Sequence, residues 1–282
     1  MSDGKIYLRP LGFLYGQQAY AGIEDGLALP LAGGAIAFTN VELIQGGPKK
    51  SKAYMFSVPA LSQAGDPDLR ARLDQVIQPR PPFAGLDLSR SSLMGIVNVT
   101  PDSFSDGGLY DKTEGAVTHA AELKKDGAAI VDIGGESTRP GSGTVAVEDE
   151  LARVIPVLEG LKGSGAVISI DTRKGEVARA AAKAGAKILN DVSAFTHDPD
   201  SMQVAVDTGL DVVLMHAQGE PKTMQDNPTY DDLISEILNF LKDAITRAVK
   251  AGIRKDLIIV DPGIGFGKTF DDNLKIIKEL SK

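Results

Sequence analysis

The chain has 282 residues, 43% of them hydrophobic and 24% charged, and a formal net charge of −8. This is the composition of a soluble globular protein with room for one large domain or a domain plus an appendage, and its acidity argues against a general nucleic-acid or membrane-surface binder. Cysteine is absent, which excludes disulfides, thiolate catalysis and Cys-ligated zinc or iron–sulfur centres.

The three histidines, at 119, 197 and 216, are too far apart for a metal-binding HExxH helix. No apolar run reaches the length of a membrane span. The apolar stretch Leu27–Phe38 is broken by Pro30 and Gly33–Gly34 and has no basic region before it, so a signal peptide is not expected. A cytoplasmic location follows as the expectation.

The chain opens with strand-like runs at Lys5–Leu8, Ala35–Ile44 and Ala53–Val58, then a short helix at Pro67–Ile77. These predict a small α+β appendage without a catalytic constellation. Three prolines in "PRPPF", Pro79 to Phe83, make a stiff linker. The division expected is residues 1–83 for the appendage and linker and 84–282 for the main domain.

Beyond the linker, short apolar strands alternate with amphipathic helices. The strands are Leu93–Val99, Ala129–Ile133, Val167–Ile170, Lys187–Leu189, Val212–Met215 and Leu257–Val260. The helices are Lys112–Asp126, Val147–Leu161, Gly175–Ala184, Pro199–Asp207, Asp231–Ala251 and Asp271–Leu280. Solid apolar strands separated by helices indicate six parallel βα units. The pattern alone is compatible with a doubly wound sheet or a (β/α)8 barrel.

Every strand ends in polar residues: "NVTPDSFSDGG" from Asn98, "DIGGESTRPG" from Asp132, "IDTRK" from Ile170, "NDVSAF" from Asn190, "MHAQGEPKTM" from Met215 and "DPGIGFGK" from Asp261. Capping explains one such end, but six in succession suit a shared site at the C-terminal face of a barrel. Asn98 offers an amide oxygen to a ligand or to a hard cation such as Mg²⁺. Phe104 reads as a water-excluding lid residue or as a local anchor of its own loop. Arg139, in a Pro/Gly-flanked loop, is the best anion-binding candidate, with a surface ion pair as the alternative. Asp171 and Asp261 are placed to accept paired N–H bonds from an amino-substituted heterocycle. The competing roles are helix capping for Asp171 and a turn with Pro262 for Asp261. His216 is an acid–base candidate or a neutral His bonded to backbone. "GIGFGKT", Gly263 to Thr269, fails as a P-loop because Pro262 stands where the first Gly is needed.

Together, "LDLSRSSLMGIVNVTPDSFSDGG", "DIGGESTRPG", "ISIDTRK", "ILNDVSAF", "LMHAQGEPKTMQDNPTYDD" and "IIVDPGIGFGK" resemble the dihydropteroate synthase family from about Leu86 onward. The resemblance implies a (β/α)8 TIM barrel of folate biosynthesis, with about six of its βα units in this chain. Its members are transferases joining 6-hydroxymethyl-7,8-dihydropterin diphosphate to 4-aminobenzoate with Mg²⁺, and are inhibited by sulfonamides that mimic the aminobenzoate. It assigns Asn98 to the metal, Thr138 and Arg139 to diphosphate and aminobenzoate, and Asp171, Asn190 and Asp261 to the pterin. Phe104 and Pro140 fall to the aminobenzoate pocket, and Met215 and Phe266 to substrate contact. Arg139, Asp171 and Asp261 would carry the reaction, in a homodimer.

The resemblance also implies a Ser-Arg-Lys motif and an Arg-x-His motif beyond the sixth unit. Neither occurs before Lys282. The expectation is a C-terminally truncated synthase with an N-terminal extension, association-prone and nearly inactive alone. A pterin-binding methyltransferase using methyltetrahydrofolate and a non-catalytic homologue are the competing readings.

Overall fold

Strands rich in Val, Ile and Leu with helices between them leave few ways to bury both sheet faces. The computed structural model, which describes residues 6–47, 50–100, 109–137, 143–219 and 223–280, adopts one of them. The chain divides into two compact units. The first comprises Met1–Pro82, Asp87–Ser91 and Ile277–Lys282, and the second Phe83–Leu86 and Ser92–Ile276.

In the first unit, β1 (Ile6–Leu14) pairs antiparallel with β3 (Ala37–Gly47). The other edge of β3 takes β2 (Leu29–Pro30) and β4 (Lys50–Ser57), also antiparallel. Helices α1 (Gln17–Glu24), α2 (Val58–Gln63) and α3 (Pro67–Ile77) complete it. Leu8, Phe38, Val41, Val58, Leu61 and Leu73 form its core. Asp66 caps α3 through the backbone N–H groups of Asp68 and Leu69, and Pro67 stands where a missing N–H costs nothing. Sequence patterning misses α1 because only Ala19 of its eight residues is buried, too little for a 3.6-residue stripe. It misses α2 because Val58 opens a helix rather than ending a strand.

The second unit holds six parallel strands: β5 (Leu93–Asn98), β6 (Ala128–Gly134), β7 (Val167–Asp171), β8 (Ile188–Asp191), β9 (Asp211–Met215) and β10 (Ile258–Asp261). Each neighbours the next in chain order, from β5 to β10. A doubly wound sheet reverses its strand order once; this sheet never reverses, as in the wall of a (β/α)8 barrel. The helices between are α4 (Leu109–Lys125), α5 (Val147–Gly160), α6 (Gly175–Ala184), α7 (Ser201–Thr208) and α8 (Leu233–Ala251), with α9 (Phe270–Glu279) after β10.

The core joins Ile133, Ile170, Leu189 and Leu214 of the strands to Val154, Val157, Leu158, Val177 and Ala181 of the helices, all fully buried. Ala178, Ala181 and Ala184 on α6 are buried, and the helix packs against α5 and α7. Along α8, Leu233, Ile237, Leu241, Ala244 and Ala248 recur at helical spacing and make one buried stripe. Among the described residues, β5 and β10 are paired on one side only. Leu93 and Ile96 on β5 are 63% and 60% exposed, whereas β9 is buried along its whole length. No described helix is long and apolar enough to cross a membrane.

Candidate active site

Parallel register brings the polar strand ends into one row. Asn98 pairs with Gly134, Gly134 with Asp171, and Asp171 with Asn190. Further along, Met215 pairs with Asp261. Side chains in register share a sheet face, so residues up to 163 positions apart in sequence (98 to 261) contribute to one end of the sheet. Gly134 leaves the row open: a Cβ there would sit 3.4 Å from Asn98 Oδ1 and 3.5 Å from Asp171 Oδ2.

Asp132 lies two residues before Gly134 on the same face, one layer deeper, and is 3% exposed. Its Oδ2 accepts from Asn190 Nδ2 at 2.9 Å, while its Oδ1 is buried without a partner. The Oδ1 of Asp171 is buried and unpartnered too. Burial raises the pKa of Asp132, Asp171 and Asp191 above the usual carboxylate value. Asp171 moves furthest, because Asp132, Asp191 and Glu150 add repulsion to its burial. The site therefore stores carboxyl groups short of hydrogen bonds, ready for a ligand rich in N–H donors. Asp171 does not cap α6: Lys174 holds that position, with no side-chain cap.

Asp261 has a split role. Its Oδ1 accepts from the backbone N–H of Gly263 at 2.7 Å, the turn chemistry expected before Pro262, leaving Oδ2 for other partners. His216 is 5% exposed. Burial first, then the Lys268 charge, push its pKa down to about 4, so at neutral pH it is uncharged. Its ring packs edge-on to Phe240 at 5.0 Å between centroids, and its Nδ1 lies 3.0 Å from Lys268 Nζ.

A cavity of about 220 Å³ has Met215, Phe266, Val192, Arg173 and Phe240 among its walls. Met215 and Phe266, 51 residues apart in sequence, both line it. Phe104, Thr138, Arg139 and Pro140 lie outside the described residues.

Several residues here carry no individual assignment from the sequence. Asp132 opens a polar strand end in the sequence but is assigned no role of its own there. Asp191 accepts from Ser193 N, Ser193 Oγ and Phe195 N. It thereby holds the turn after β8, where Ala194 and Phe195 take left-handed φ of 50° and 63°; such backbone strain in non-glycine residues is a feature of functional loops. Glu136, 4% exposed, accepts from Arg173 at 3.1 Å, Lys174 at 2.9 Å and the Val145 N–H at 3.2 Å. Burial alone would raise its carboxyl, but Lys174 and Arg173 hold it below its usual value. Lys174 also bridges to fully buried Glu150 on α5. Nothing in the spacing of Glu136, Glu150, Arg173 and Lys174 announced that they would meet.

A singly wound parallel sheet with a row of Asn and Asp at its C-terminal strand ends has the architecture of a barrel-type α/β enzyme. Comparison with known proteins gives the same class a family. The pterin-binding enzyme family matches residues 94–282. Dihydropteroate synthase of Escherichia coli K12 is 49% identical over 198 residues, 70% of this chain and 70% of its own. Among solved structures, Yersinia pestis dihydropteroate synthase in a sulfonamide drug complex superposes with a TM-score of 0.65 at 47% identity, covering 69% of this chain and 71% of that one. Xanthomonas albilineans dihydropteroate synthase with 4-aminobenzoic acid gives 0.65 at 48%, over 70% and 71%. The chain belongs to the dihydropteroate synthase family of pterin-binding enzymes. Its first 93 residues lie outside the matched region.

Proposed function

We propose that the chain is a dihydropteroate synthase, a transferase joining 6-hydroxymethyl-7,8-dihydropterin diphosphate to 4-aminobenzoate. The observation that carries this reading is the unpartnered, buried Oδ1 of Asp171, in register with Asn190. A pterin's aminopyrimidinone edge supplies the clustered N–H donors that such a carboxyl lacks. Asn190 and the free oxygen of Asp261 extend the same polar edge. Met215 and Phe266 offer apolar contact to the flat ring.

In the reaction, the arylamine nitrogen bonds to the pterin methylene carbon as that carbon's bond to the diphosphate oxygen breaks. The electron pair leaves with diphosphate, and the amine gives a proton to solvent. The methylene tolerates cationic character, so little activation of the nucleophile is needed, which agrees with a neutral, packed His216. Arg139 is assigned to the diphosphate charge through its motif, with Thr138 beside it, and Phe104 and Pro140 to the aminobenzoate pocket. Asn98, a hard amide oxygen at the end of β5, fits Mg²⁺ as a single protein ligand. Among the described residues no group of three or more acidic or histidine side chains is arranged to hold a metal, so diphosphate and water would complete the shell. Bound there, Mg²⁺ supplies charge neutralisation of the leaving group.

The test is diphosphate release from the pterin diphosphate with and without 4-aminobenzoate, together with calorimetric titration of a pterin. Aminobenzoate-dependent release is expected. Absence of both release and pterin binding overturns the proposal.

A further inference from the structure

The "GIGFGKT" loop is not a phosphate loop, yet its lysine has a structural address. Lys268 is 3% exposed. Its Nζ donates to the carbonyl of Phe266 at 2.9 Å, to the carbonyl of His216 at 3.1 Å, and meets His216 Nδ1 at 3.0 Å. Three ammonium protons therefore face three acceptors inside the protein, and the Nδ1 contact assigns the His216 proton to Nε2. Burial lowers the Lys268 pKa only to about 8, with Asp261 and Asp272 opposing the shift, so the ammonium is the main form at neutral pH.

The backbones it joins lie unusually close. A Cβ on Gly263 would stand 1.9 Å from the His216 carbonyl oxygen, and one on Gly267 2.3 Å from that of Gln218. Both glycines also have positive φ, 71° and 65°, so no other residue fits. Tyr230 Oη donates to the Gly267 carbonyl at 2.6 Å. Burial raises that phenol to about 12, which keeps its proton in place. The loops after β9 and β10 are thus pressed backbone to backbone and fastened by Lys268, with Tyr230 adding a second fastening.

We infer that Lys268, assisted by Tyr230, is a positioning residue that clamps the loops after β9 and β10 and thereby fixes Met215 and Phe266 as walls of the pterin pocket. Phe266 carries one of the clamped carbonyls, and Met215 immediately precedes the other. The inference rests on the pterin reading of that pocket and adds to it a residue that touches no ligand. Its close acceptors are two backbone carbonyls and a ring nitrogen, all of this chain, and none is a carboxylate.

The experiment titrates pterin-6-carboxylate into the full chain and into Lys268→Met and Lys268→Gln by calorimetry, with thermal unfolding alongside. Affinity in Lys268→Met is expected to fall tenfold or more, and Lys268→Gln, which keeps a donor, to fall less. A lowered Tm with unchanged affinity in Lys268→Met means a purely structural lysine and overturns the inference. Should both variants fail to fold, Tyr230→Phe, which cuts only the Gly267 contact, must lose at least threefold; parental affinity in it overturns the inference too. A parent chain that binds no pterin instead overturns the site reading, and the inference falls with it.

Discussion

Asn190 Nδ2 donates to Asp132 Oδ2 over 2.9 Å, linking β8 to β6 across the intervening β7. The amide thereby gives a deeply buried carboxyl a hydrogen-bond donor. Between them Asp171 keeps a buried oxygen without one.

Asp171→Asn is expected to weaken pterin binding by about 10- to 100-fold, since a charge-assisted hydrogen bond is worth roughly 1.5–3 kcal/mol. The same change is expected to stabilise the free protein. Asp171's folded pKa is raised well above its ordinary value, so the folded state holds a proton that the unfolded chain has released. Stability falls as pH rises through that interval. The asparagine variant does not titrate, so its Tm advantage should be large at pH 8 and shrink toward pH 4. An advantage independent of pH would mean that Asp171 ionises freely in the fold.

Asn190→Leu deprives Asp132 of its donor while keeping side-chain volume. Leaving a buried carboxyl unsatisfied costs about 1–3 kcal/mol, to be read as a lower urea midpoint at unchanged m-value. Parental stability would show that Asp132 draws nothing from the amide.

Gly134→Ala separates site from scaffold. The added methyl meets Asn98 Oδ1 and Asp171 Oδ2 at 3.4 and 3.5 Å, ordinary contact distances, so unfolding free energy should change by less than about 1 kcal/mol. The methyl wedges an apolar group between two oxygens assigned to substrate and metal. Calorimetry with diphosphate and Mg²⁺ should show at least a fivefold loss. Unchanged binding would remove Asn98 and its neighbours from the leaving-group site.

Lys174→Met leaves fully buried Glu150 without its ammonium partner and leaves Glu136 to Arg173 and the Val145 N–H. Breaking a buried ion pair by removing one partner costs about 3–5 kcal/mol. Urea unfolding of Lys174→Met should lose that amount. A loss below about 1 kcal/mol would mean that the two carboxyls take up protons and tolerate the change.

The sequence by itself determined the parts whose signal is local. Solid apolar runs separated by helical stripes define βα units, and α6 and α3 lie where periodicity puts them, at Gly175–Ala184 and Pro67–Ile77. Polar residues at every strand end mark the candidate face, because a strand's last residues leave the sheet there whatever the sheet's closure. Tertiary structure alone decided the rest. Strand order distinguished a singly wound wall from a doubly wound sheet, since hydrogen bonding between strands is not encoded in any one of them. Register put Asn98, Gly134, Asp171 and Asn190 in one row, and side-chain reach brought Lys174 to Glu136 and Glu150, and Lys268 to His216. Those pairings span 24 to 52 residues, and no periodicity along the chain reports a distance that exists only after it has folded.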